Sequence, residues 1–147
     1  MALSDRQYSL PLVRKKTKDL LVVSDEGEIS FFDVAMTVGT EAGNVITVAC
    51  QAQDRDGVAL SHRVSLPWYL ADDANGDTPA SSAPSGGTAA GTDGAIIEWV
   101  AQLSGLAITE ADGDLDIAIT DTGTPTLYLV FVLPDGRLTV SGAITFA

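Results

Sequence analysis

Polar and apolar residues alternate one for one along most of this chain, in short runs separated by Asp, Asn, Gly and Pro. Period two marks a strand with one buried face, because successive side chains of an extended backbone point to opposite sides. In VITVACQAQ, residues 45–53, one face collects Ile46, Val48, Cys50 and Ala52, and the other Thr47, Gln51 and Gln53. The DRDG that follows predicts a turn with Gly57 at positive φ. In HRVSLPWYL, Val64, Leu66, Trp68 and Leu70 share one face, opposite Arg63, Ser65 and Tyr69. Pro67 has no N–H, which predicts an edge position or a bulge for that strand. AIIEWVAQL and LAITEA predict shorter strands. DLDIAIT sets Leu115, Ile117 and Ile119 inward and Asp114, Asp116 and Thr120 outward. TLYLVFVL is apolar on both faces, as in a central strand covered on both sides. PDGR predicts a tight turn, and LTVSGAITF carries Leu138, Val140, Ile144 and Phe146 on one face. Upstream, EISFFDVAMTV gives Phe32, Val34, Met36 and Val38 a common face.

No segment carries a capped apolar stripe of helical period. Seven or eight short strands at this spacing predict an all-β fold, an antiparallel β-sandwich with immunoglobulin-like connections. The pattern places the sandwich over residues 25–147 and leaves residues 1–24 as an extended N-terminal arm, in which only DLLVV resembles a strand. Residues 72–94 are small and polar, rich in Gly, Pro, Ser and Ala. A loop that long inside a domain is usually functional or mobile.

Composition fits one globular domain: 147 residues, 46% hydrophobic and 19% charged. No apolar run reaches the roughly 18 residues a membrane span needs, so no membrane partner is expected. The N-terminal charges follow the apolar residues, unlike a secretory signal. One cysteine excludes an internal disulfide or a multi-cysteine metal site.

Charge changes the picture more. The chain carries a net −12, divided unevenly. Residues 1–18 hold five basic residues against Asp5 alone, a net of +4; the remainder holds three arginines against 19 acids, a net of −16. The body should repel nucleic acid. The arm could attract something acidic, whether a protein surface, nucleic acid or its own body. Arg14, Lys15, Lys16 and Lys18 stand between the apolar pieces YSLPLV and LLVV. A solvated tail has no use for such apolar residues, whereas a segment that adds a strand to a neighbouring sheet does. These four cations, with Leu20 and Leu21, are therefore candidate partner-binding residues. Phe31 and Tyr69, on outward faces, are candidates for contacts between subunits.

Candidate chemistry is sparse. DDANGDT spaces Asp73, Asn75 and Asp77 like calcium ligands, but Gly76 comes too early and Pro84 stands where a bidentate Glu belongs. A looser calcium site could draw on Asp112, Asp114 or Asp116; turn-making is the plainer role. His62, the only histidine, falls by parity on the apolar face, and adjacent Ser61 points the opposite way, so they make no nucleophile–base pair. Cys50 falls among apolar neighbours as an inert thiol. Trp68 and Trp99 are expected in or near the core, with a saccharide-binding platform as the alternative. No catalytic residue, cofactor or metal ligand is assigned.

From about Val45 to Phe146 the chain resembles a family of small virion proteins of tailed bacteriophages. The resemblance rests on VITVACQAQDRDGVAL, YLADDANGDTPASSAPSGGTAAGTDG, TEADGDLDIAIT and YLVFVLPDGRLTVSGAITF. It covers roughly two thirds of the chain and omits the first 44 residues. It implies a structural, non-enzymatic role in the virion. The expectation is a capsid decoration (cement) protein on the phage head surface, made in the bacterial cytoplasm. Its partner would be the major capsid protein, held by the arm, and it would act as a trimer or dimer. A head or tail fibre or tail component that contacts the host is the first alternative; an immunoglobulin-like adhesion module that binds calcium is the second.

Overall fold

The computed structural model describes residues 32–147. The described chain forms ten strands and no helix: β1 (Asp33–Val38), β2 (Val45–Gln53), β3 (Ser65–Ala71), β4 (Gly87–Ala90), β5 (Ala95–Val100), β6 (Ser104–Ile108), β7 (Asp114–Thr120), β8 (Thr126–Val132), β9 (Leu138–Val140) and β10 (Ile144–Thr145). They make two antiparallel sheets. Sheet 1 runs β1-β2-β7-β4, and sheet 2 runs β10-β8-β3-β6-β5 with β9 also paired to β8. No helix among the described residues is long and apolar enough to cross a membrane.

Alternation explains which residues meet. Val34, Ile46, Val48, Cys50, Leu115, Ile117 and Ile119 of sheet 1 are buried in one cluster with Leu66, Trp68, Leu70, Leu129 and Phe131 of sheet 2. Phe32, Met36 and Val38 pack against that cluster, as the common face of β1 predicts. β2 and β7 occupy the predicted segments and pair from Val45↔Thr120 to Gln51↔Asp114. Gly57 takes positive φ in the turn after β2.

Four expectations need correction. First, β3 is neither an edge strand nor bulged: it pairs with β6 on one side and β8 on the other. Leu70 N–H donates toward the β6 side, to the Leu103 carbonyl, so alternation turns the Pro67 nitrogen toward β8. The β8 ladder starts at Trp68↔Phe131, one residue past Pro67, so the missing N–H breaks no ladder bond. Second, the segment 72–94 is not all loop, because β4 lies within it and pairs with β7 along the edge of sheet 1. Third, the last predicted strand is broken in two. Three residues separate Val140 from Ile144 where two separate their partners on β8. That extra residue reverses the facing: Ile144 and Phe146 enter the core, while Leu138 is 43% exposed with Val140 on the opposite side. Fourth, His62 lies exposed in a bend before β3 rather than on the apolar face.

Two buried polar groups hold these irregular places. Ser141 Oγ accepts the Leu129 N–H at 2.9 Å and donates to the Gly142 carbonyl at 2.8 Å, repairing the ladder at the break. Asp121 joins three loops. Its carboxylate accepts the N–H groups of Ser85 (2.8 Å) and Gly123 (2.7 Å), and its own N–H donates to the Asn44 carbonyl. The Gly123 and Ser85 amides hold this carboxyl below the usual carboxylate range.

Ser141→Ala leaves the buried Leu129 N–H unpaired and should destabilise the protein by about 1–3 kcal/mol in urea denaturation. Asp121→Asn should cost about 1–3 kcal/mol at neutral pH. A depressed carboxyl stabilises the fold above its unfolded value and loses that contribution as pH falls through its folded value. The gap between Asp121→Asn and the parent should therefore narrow below about pH 4.

Candidate functional site

Among the described residues β5 is the edge of sheet 2, hydrogen-bonded to β6 alone. Its sequence AIIEWV is apolar but for Glu98. Ile96 turns inward and packs on the core. Ile97, Trp99 and Val100 are 53%, 62% and 54% exposed, three of the five large hydrophobic residues so placed among those described. Trp99 is thus a correction to the expected near-core position, whereas Trp68 is fully buried as expected.

Backbone geometry produces this edge. The register with β6 shifts between Glu98 and Val100, so Trp99 is an extra residue in a bulge. Opposite it stands Gly105. A side-chain carbon there would collide with the Ile97 carbonyl, so only glycine lets β5 approach. Gly105 and Ala107 also present small residues beside Trp68 and Leu66 on neighbouring β3. Glu98 points toward the other sheet, where its carboxylate accepts the Thr88 hydroxyl of β4 at 2.9 Å.

The edge continues an apolar face. On the outer side of sheet 2, Tyr69, Ser104 and Val100 form a cross-strand row, and Pro67, Leu106 and Ile97 form the next. Val132 and Leu138 pair on the far side of the sheet. A shallow groove of about 190 Å³ lies at the Val100 end, lined by Tyr69, Pro79, Ala80, Val100, Leu103 and Ser104. The outer side of sheet 1 is different: Thr47, Ala49, Gln51, Asp114, Asp116 and Ala118 are small or polar.

Tyr69 is the one proposed contact residue among those described. It is half-buried, and its hydroxyl donates to the Gly76 carbonyl at 2.5 Å. Burial, then Asp73 and Asp77, push its phenol up from the ordinary tyrosine value. Arg14, Lys15, Lys16, Lys18, Leu20, Leu21 and Phe31 lie outside the described residues. The acids of DDANGDT serve the turn: Asp73 accepts the N–H groups of Thr78 at 3.0 Å and Asn75 at 3.3 Å, and Asp72 accepts that of Ser81. Those amides, Thr78 first, hold the Asp73 carboxyl low. Among the described residues no three His, Cys, Asp or Glu side chains gather as metal ligands would. Cys50 is buried, and desolvation, followed by Asp116 and Asp114, pushes its thiol up to about 12, so it stays protonated.

No family model, curated protein or solved structure matches this chain. The surface therefore has to be interpreted from its own chemistry. What it offers is an open row of main-chain donors and acceptors beside exposed apolar side chains, the requirements for adding a strand. Sequence alone missed it because alternation cannot say which strand lies at an edge. AIIEWV is apolar at both parities, as a central strand would be, and its length does not set it apart, since interior β6 is shorter still.

Gly105→Ala should force β5 away from β6. The expected cost is about 1–3 kcal/mol, measured by urea denaturation, with a shift in the emission of Trp99.

Proposed function

We propose that this protein is a non-enzymatic structural component of a tailed-bacteriophage virion, a decoration protein on the outside of the head. The observation that carries this reading is the apolar outer face of sheet 2, which ends in the free β5 edge. An exposed apolar face of that kind fits a protein surface better than a small substrate. The likeness in phrasing to small phage virion proteins points the same way. In this reading, copies sit over joints between major capsid subunits and oppose the outward pressure of packed DNA. The basic arm, residues 1–24, tethers them. An exposed ion pair contributes only about 0–1 kcal/mol, so apolar burial and engagement of several lattice points at once supply the affinity.

The same proposal extends to the fold. The spatial order β1-β2-β7-β4 against β8, β3, β6 and β5 corresponds to the two sheets of an immunoglobulin variable-type sandwich. Cys50 on β2 and Trp68 on β3 occupy the core, as the Cys and Trp of the second and third strands do there. The connections are rearranged: the chain visits β4 in sheet 1 before it lays down β5 and β6 beside β3.

A fibre or tail component is the second reading, favoured by Trp99, whose exposed indole is suited to stacking on a host saccharide. Removing residues 1–18 should leave the melting transition of the sandwich in place and weaken binding to purified heads by about tenfold or more. Co-sedimentation measures this. Full occupancy by the truncated protein, or binding to host polysaccharide in place of heads, would reject the decoration role.

A further inference from the structure

The outer side of sheet 2 is covered at one end and bare at the other. Over β8, the 72–79 segment lies close enough that a side-chain carbon on Gly76 would stand 3.1 Å from Val140 and 3.2 Å from Val130, and Val130 is fully buried. Over β5 no described segment covers Ile97, Trp99 and Val100 in the same way. An aromatic side chain presents about 150–250 Å², so these three leave roughly 300 Å² of apolar surface in water. A standard stable interface takes about 800 Å² from each partner. The patch on β5 by itself is of the size that a single extended segment covers, and such a segment would also satisfy the outward backbone groups of β5.

Charge selects the segment. Residues 32–147 hold three arginines against fifteen acids, a net of −12. Glu98 lies on the edge, and Asp73 and Asp77 act on Tyr69 in the adjoining groove. An occupant should carry both apolar residues and cations. Ser9–Val23, SLPLVRKKTKDLLVV, has both properties: four basic residues against one acid, between two apolar runs.

We propose that the free edge of β5 receives Ser9–Val23 of a second copy of this chain. The contact is heterologous, since the arm of one copy meets the edge of another; it closes into rings, of which a reciprocal exchange between two copies is the smallest, or grows into rows. It goes beyond the virion role and does not depend on it. If both hold, an arm seated on a neighbouring copy leaves lattice contact to the outer face of sheet 2 and to copies whose arms are free, and arm-linked copies reach several lattice points together.

The test uses the full chain without phage heads. Self-association is measured by analytical ultracentrifugation at about 50 mM and about 500 mM salt. The parent is compared with an edge variant, Ile97→Lys/Trp99→Lys, and an arm variant, Arg14→Glu/Lys15→Glu/Lys16→Glu. The substituted edge positions are more than half exposed, so the fold should persist; a circular dichroism melt checks this, and Val100→Lys replaces the edge variant if it fails. The parent should associate, about tenfold more weakly at high salt. Each variant alone should be monomeric. Mixed in equal amounts they should form a one-to-one heterodimer and nothing larger, because one intact arm and one intact edge remain. A monomeric parent overturns the proposal. So does an arm variant that associates like the parent, which would mean that β5 edges pair with each other, or a mixture that stays monomeric. Success or failure here leaves head binding to be decided separately.

Discussion

A two-sheet sandwich holds together only where each strand keeps the same alternate residues turned toward the other sheet. Here that constraint is met over the long central strands, where Val48, Ile117, Trp68 and Phe131 reach near-zero exposure. Burying a side chain as large as Trp68 is worth about 4–6 kcal/mol at the usual area coefficient. Part of that gain is offset, because its indole N–H has no hydrogen-bond partner among the described residues. The two departures from strict alternation, at Glu98–Val100 and between Val140 and Ile144, are the places where the outer surface changes character. The first bares an aromatic residue on an edge. The second lets one terminal segment supply Val140 to the outside and Phe146 to the core.

Much of the fold was legible because alternation is a local property. β2 and β7 were bounded by Asp, Gly and Asn residues and matched their segments without slippage, and the inward sets of β3 and β1 were likewise assigned correctly. Neighbour relations were not legible. Nothing in HRVSLPWYL says that Pro67 falls one residue outside a ladder, and GTAA is too small and even in character to announce β4. The one-residue register change near Ser141 leaves the parity of Leu138, Val140, Ile144 and Phe146 intact in sequence while reversing it in space. On the outer face of sheet 2, the position of Tyr69 followed from its outward parity. Trp99 was placed inside, because an aromatic residue in a short apolar strand is ordinarily packed.

The acids show a division of labour. Asp72, Asp73 and Asp121 are occupied by backbone amides and shape loops, while Asp114 and Asp116 line the outer side of sheet 1. Edge strands are commonly guarded by lysine, by proline or by a bulge. β5 has the bulge, but neither lysine nor proline; Ile97, Trp99 and Val100 are more than half exposed, and its one charge, Glu98, accepts the Thr88 hydroxyl.

The junction between the described domain and the preceding residues has a mechanical meaning. β1 begins at Asp33, whose carboxylate accepts the Thr139 hydroxyl at 2.7 Å and lies 3.4 Å from Arg137. From there six residues pair with β2, from Asp33↔Gln53 to Val38↔Val48. Force entering through Phe32 along the strand axis loads those ladder bonds side by side, and the Asp33 clamp passes part of it into the other sheet. Force across the axis would open them one after another. A tether joined at this point is strong in shear and weak in peel, so the direction of pull, more than its size, decides how firmly the sandwich stays attached.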